Sequence, residues 1–177
     1  MTNPPEIFDV VDDADRVIGQ ALRAEVHRRA LKHRAIHIWV FNPAAELFVQ
    51  HRAATKDTFS NCYDSSASGH LDHGEDYDQA AVRELHEELG LALAPHQLTK
   101  LFRVEAAPET GWEFVWVYRV QGAYQPVINL SEIQAGRFWS AAELAQLIAQ
   151  HPAQCAPSFV RIWHEFQRRQ LWPESLH

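Results

Sequence analysis

SGHLDHGEDYDQAAVRELHEELG, residues Ser68–Gly90, gathers Glu75, Glu84, Glu87 and Glu88 around a single arginine, Arg83. The stretch reads as a loop followed by a helix. Asp76 is an N-cap residue, and Gln79, three residues on, completes a capping box. Gly90 suits the left-handed position just past the helix end. At about 100° per residue, Ala81, Val82, Leu85 and Leu89 fall on one arc, which should face the core. Glu84, Glu87 and Glu88 share the neighbouring arc. Glu84 and Glu88 are four apart, a like-charge spacing that costs roughly 0.2–0.5 kcal/mol. The helix dipole adds about 0.3–1 kcal/mol against each anion near the C-terminus. Arg83, four before Glu87, offsets only part of this.

Two readings fit such a helix. One is a solvated acidic face, although such faces usually carry interspersed lysines and this one has none. The other is a bound divalent cation, which turns repulsion into coordination; carboxylate oxygens suit the hard ions Mg²⁺ and Mn²⁺. The spacing decides between them. Gly69, five residues, Glu75, seven residues, Arg83-Glu84-Leu85, one residue, Glu87-Glu88, one residue, Gly90-Leu91 resembles the Nudix box in every fixed position. The resemblance implies an α/β/α sandwich with a mixed β-sheet over roughly residues 7–150. It also implies a metal-dependent hydrolase that cleaves the pyrophosphate bond of a nucleoside diphosphate linked to another group.

Roles carry over residue by residue. Glu84, Glu87 and Glu88 match the metal-binding glutamates, and Gly69 the glycine whose carbonyl joins the metal shell. Glu84 or Glu88 would orient or deprotonate the attacking water. Arg83 matches the arginine that positions these glutamates, and Glu75 its structural partner. The cofactor implied is Mg²⁺ or Mn²⁺.

The segment before the box resembles the front half of isopentenyl-diphosphate isomerase, a Nudix relative. "HRAIHIWVFN", "QHRAATKDTFSN" and "SGH" carry that likeness. Arg52 and Lys56 match an arginine–lysine pair that contacts the diphosphate there, a sensible task for cations at a strand end; ordinary surface cations are the other reading. His33, His70 and Glu113 match ligands of a second metal site. His27 falls one residue off the position of a third histidine. The likeness breaks where chemistry matters. Ser68 stands at the catalytic cysteine, Gly111 stands at a glutamate, and the Nudix box is intact where the isomerase commonly has a degraded one. The chain reads as a Nudix hydrolase of the isomerase-like branch. An isomerase and a catalytically idle binding domain stay open as alternatives.

The rest of the chain narrows the class. Its 177 residues with a net charge of −7 suit one domain and argue against nucleic acid as the partner. No apolar run approaches the roughly 18–20 residues that span a bilayer, and the start lacks the pattern of a signal peptide. Cys62 and Cys155 read as reduced thiols in a cytoplasmic protein. "IFDVVDDADRVIGQALR" reads as two short strands, and "EVHRRALKH" fits a short helix or a loop. "AIHIWVFN" and "LFVQHR" read as a strand hairpin, "LTKLFRVEAA" and "WEFVWVYRVQ" as two further strands, and "AGRFWS" as a strand leading into the helix "AAELAQLIAQH". The pattern in "PSFVRIWHEFQRRQLWP" predicts a C-terminal helix over about 157–171, covering the sheet or extending a homodimer contact. Glu132 falls where some Nudix hydrolases place a general base, and a loop carboxylate is the other reading. Tyr63, Trp112 and Trp116 are candidates to stack on a base or sugar, with core packing the alternative for Trp116.

Overall fold

The computed structural model describes residues 6–176. Strands β1 (Ile7–Val11) and β2 (Val17–Leu22) form a separate antiparallel pair. Asp12 closes their turn, accepting from the backbone N–H groups of Ala14 and Arg16. The segment that follows is a helix, α1 (Arg23–Arg28).

The main sheet has seven strands. Its spine is β3 (His33–Phe41), which runs parallel to a later strand, Glu113–Gln121, from His33↔Glu113 to Phe41↔Gln121. The next strands are β4 (Leu47–Arg52), β5 (Tyr63–Asp64), β6 (Ala67–His70) and β7 (Thr99–Val104). The strand Glu113–Gln121 is β8, and β9 is Ile133–Trp139. β7 pairs antiparallel with β8.

The expected hairpin of β3 and β4 is present but short. The two pair only at Phe41↔Leu47. Beyond that point they splay. β4 pairs with β9 along its length, while β6 lies against β3 from Ala35↔His70 to Ile38↔Ala67. A two-residue contact at the turn cannot hold strands that each find a longer partner elsewhere.

Side chains alternate across a strand, so β3 serves two cores. Ile36, Ile38 and Val40 face α2 (Tyr77–Leu89), together with Ala80, Ala81, Leu85 and Leu89 of that helix. Ala35, Trp39 and Phe41 face the other way, towards α3 (Ala141–Gln150) and α4 (Pro157–Arg169). Phe159, Ile162, Trp163 and Phe166 of α4 are buried, and Phe166 stacks on Trp39 with ring centroids 3.9 Å apart. Each such apolar side chain stabilises by about 1.5–3 kcal/mol. α4 stops at Arg169, short of the expected 171, because Gln170 takes the left-handed conformation (φ 54). The result is a mixed sheet between helices. No helix among the described residues is long and apolar enough to cross a membrane.

Candidate metal and phosphate site

α2 begins and ends as its sequence dictates. Asp76 accepts from the backbone N–H of Gln79, whose side chain returns the bond, and Gly90 closes the helix at φ 66. Its acidic arc is not a solvated face. Glu88 is 3% exposed. Its Oε2 accepts from Gln50 Nε2 at 3.0 Å and from the backbone N–H of Ser68 at 3.2 Å. Burial, then the nearby charge of Glu84, pushes the Glu88 carboxyl up to about 8. Burial likewise raises Glu84 to about 7, against the pull of Arg83.

Arg83 binds more than its neighbour one turn away. It grips both oxygens of Glu75 at 3.0 and 2.8 Å, donates to Glu84 at 2.7 Å and to Glu87 at 3.3 Å, and donates to the carbonyl of His70 at 2.9 Å. It thus ties α2 to β6. Gly69 is what lets them meet. A Cβ there would lie 2.0 Å from Glu84 Oε1. The glycine is needed for close approach.

These donors fit a hard divalent cation. Carboxylate oxygens of Glu84 and Glu88 are buried together, with Glu87 half exposed beside them and the Gly69 backbone against Glu84. All four line an open cavity of about 570 Å³. Arg52, Lys56 and Glu132 line the same cavity. Lys56 pairs with Glu132, and Arg52 donates to Asp64 at 3.3 Å and to the carbonyl of Thr58 at 3.2 Å.

At another part of the same cavity, three elements bring histidines together. The ligand atoms of His27 (α1), His33 (β3) and His70 (β6) lie within 4.8 Å of one another. His70 Nε2 is 2.9 Å from Glu113 Oε1 on β8. His33 Nδ1 donates to the carbonyl of Leu31 at 2.9 Å, which leaves the lone pair on Nε2. That nitrogen is buried without a hydrogen-bond partner, 3.5 Å from Glu113. Burial, then the neighbouring His70 and His33, lowers His27 to about 4, so its imidazole is neutral at pH 7. Phe8 of β1 stacks on His70 at 4.6 Å and screens the group. The set fits a cation that accepts imidazole nitrogen.

The expected metal-binding glutamates, Gly69, Arg83, the Arg52–Lys56 pair and Glu132 thus line one cavity, with His70 and Glu113 on it and His33 beside them. Two aromatic candidates, Tyr63 and Trp112, lie away from the main cavity, and Trp116 takes its packing alternative. Tyr63 stacks on His51 and meets Trp139 edge-on, lining a smaller cavity away from the carboxylates. Trp116 lies under Lys100 and beside Tyr77, and neither it nor Trp112 lines the main cavity. Of the Phe, Tyr and Trp side chains among the described residues, the one at the main cavity is Phe59, half exposed on a left-handed backbone (φ 50). His37 and Asp64 also line it and escaped the sequence reading. His37 had a signal: it shares the strand parity of His33.

The NUDIX domain family matches residues 31–159. An uncharacterised Nudix hydrolase of Streptomyces coelicolor is 40% identical over 146 residues, covering 81% of this chain and 80% of that protein. An isopentenyl-diphosphate Δ-isomerase of Photorhabdus laumondii is 31% identical over 160 residues, covering 89% of this chain and 88% of the other. A Deinococcus radiodurans crystal structure superposes with a TM-score of 0.78 at 26% identity, covering 90% of this chain and 98% of its own.

Proposed function

The chain belongs to the Nudix hydrolase family, and from that premise we propose that it cleaves the pyrophosphate bond of a nucleoside diphosphate linked to another group, with Mg²⁺ or Mn²⁺ as cofactor. The observation that carries this reading is the buried pair Glu84 and Glu88. Glu84 lies against Gly69, Glu88 binds the neighbouring Ser68 N–H, and both open onto a cavity that also holds Arg52 and Lys56.

Glu84, Glu87, Glu88 and the Gly69 carbonyl would hold the cation. Bound there, it supplies neutralisation of the phosphate charge and activation of water for attack. Arg83 keeps the glutamates in place through five hydrogen bonds that also fix Glu75 and His70. Arg52 and Lys56 bind the diphosphate, and Lys56 exchanges Glu132 for phosphate as substrate enters. Glu84 or Glu88 takes the proton of the attacking water, with Glu132 as the alternative base. Water forms one bond to phosphorus while the bridging P–O bond breaks. Ser66 and Gln50, bonded behind β6 and to Glu88, hold the strand and the carboxylate from behind.

A second cation at His27, His33, His70 and Glu113 is part of this proposal. Its support is the orphaned Nε2 of His33. The same cluster favours the isomerase as the second reading, with the Photorhabdus relative beside it. Ser68 argues against that reading, because a hydroxyl is a poor acid or base towards an alkene.

The test is a screen of nucleoside diphosphate derivatives for metal-dependent release of nucleoside monophosphate, with isopentenyl diphosphate assayed for isomer formation. Cleavage of one substrate group by the wild type and not by Glu88→Gln is the expected result. Isomer formation without cleavage would overturn it.

A further inference from the structure

Two residues at the end of β5, Asp64, which lines the cavity, and Ser65 behind it, orient side chains that face the cavity. Both are buried, at 4% and 0% exposure. Asp64 is shared. Its Oδ2 accepts from Arg52, and its Oδ1 accepts from the Ser65 backbone N–H at 2.7 Å and lies 3.8 Å from His37 Nδ1. Ser65 settles which nitrogen of His37 carries the proton. Its Oγ accepts from the indole N–H of Trp39 at 2.9 Å, and an indole can only donate. The remaining partner of Oγ is His37 Nδ1 at 2.7 Å. The second lone pair of Oγ could also accept from an Nδ1–H, but the buried hydroxyl would then have no acceptor among the described residues; donation to Nδ1 satisfies both groups and places the imidazole proton on Nε2.

His37 lines the main cavity, directly across the β3–β6 ladder from Ser68, whose N–H binds Glu88. Among the described residues its Nε2 has no hydrogen-bond partner, and burial pushes its basicity down, so it is a neutral donor. Arg52 lines the same cavity with N–H groups that Asp64 and Thr58 do not use. We propose that His37 is a substrate-contacting residue, whose Nε2–H, fixed by Ser65, donates to a phosphoryl oxygen of the diphosphate that Arg52 holds. The inference rests on the reading of this cavity as a diphosphate site. Ser65 is a positioning residue, because it reaches the substrate only through His37, and Asp64, whose oxygens are engaged by Arg52 and the Ser65 N–H, positions Arg52.

The experiment has two readouts. Nitrogen-15 NMR of the full chain reports the His37 tautomer directly. Calorimetry with methylenediphosphonate and Mg²⁺ reports binding without turnover. The wild type is expected to show the Nε2–H form, and Ser65→Ala a mixture of tautomers. His37→Leu is expected to weaken methylenediphosphonate by roughly tenfold or more, the scale of one hydrogen bond to a charged group. His37→Gln, which keeps a donor near the Nε2 position, is expected to stay within about threefold of wild type. An Nδ1–H tautomer in the wild type overturns the proposal. So does a folded His37→Leu that binds the probe like wild type, or a wild type that does not bind it. Binding that depends on His37 in a protein that cleaves none of the screened substrates would sink the hydrolase reading alone. Hydrolysis with an unchanged KM in His37→Leu would sink this one alone.

Discussion

The two faces of β6 carry opposite chemistry along one cavity. Towards α2, Gly69 and the Ser68 N–H meet carboxylates that burial drives to hold protons more tightly. Towards β8, His70 meets imidazoles, of which His27 is driven to hold its proton less tightly. Burial disfavours charge in both, so the acids gain protons and the base loses one. Each side then offers what a different cation wants: carboxylate oxygen on one, imidazole nitrogen on the other. Along one cavity, a cation must displace protons from the carboxylates, while burial already keeps the His27 imidazole neutral.

The comparison breaks most visibly at Glu88. Glu88→Gln keeps the size and the hydrogen bond to Ser68 N–H, and loses the charge. Its hydrolysis rate should fall by roughly a hundred- to ten-thousand-fold, while circular dichroism and Tm show a folded protein. Retained turnover would move the chemistry away from the carboxylate side.

Gly69→Ala tests the close approach. The added methyl collides with Glu84 Oε1, so β6 or α2 must shift, at a cost of about 1–3 kcal/mol. Mg²⁺ affinity measured by calorimetry should fall with Tm. A variant that binds Mg²⁺ normally would show that Gly69 is not part of the cation shell.

The carboxylate side also predicts a pH signature for metal-free protein. Glu84 and Glu88 rise from 4.5 to about 7 and about 8 on folding. The folded state therefore binds more protons than the unfolded one between those values. Stability is greatest below about pH 4.5 for this pair, and it falls as pH rises towards 8. The fall in Tm between pH 5 and 8 should shrink in Glu88→Gln, and it should shrink again when saturating Mg²⁺ is added to the wild type. A Tm that rises with pH equally in wild type and Glu88→Gln would contradict the buried pair.

The smallest effect is expected on the histidine side. His33→Ala removes the unpartnered Nε2, and calorimetry with Mn²⁺ should lose one class of sites. Its hydrolysis should drop far less than that of Glu88→Gln. Equal losses from the two variants would mean that the sides of β6 act as one centre.

Much of the carboxylate side was legible in the sequence. Its capping box, its left-handed Gly90 and the order of its glutamates are short-range features, set within one helix and the loop before it. The histidine side was half legible: His33, His70 and Glu113 were readable by resemblance, while His27 looked one residue out of place. A helix absorbs such an offset, because α1 swings the ring towards β3 whatever the linear count. The register decided the rest. That β4 leaves β3 for β9, that Glu88 is buried and not solvated, and that Ser65 reaches His37 across 28 residues are outcomes of long-range pairing. Local sequence fixes which groups are available and how a helix presents them. Their partners and their distance from water are set by strands far apart in the chain, and those terms decide what each group does.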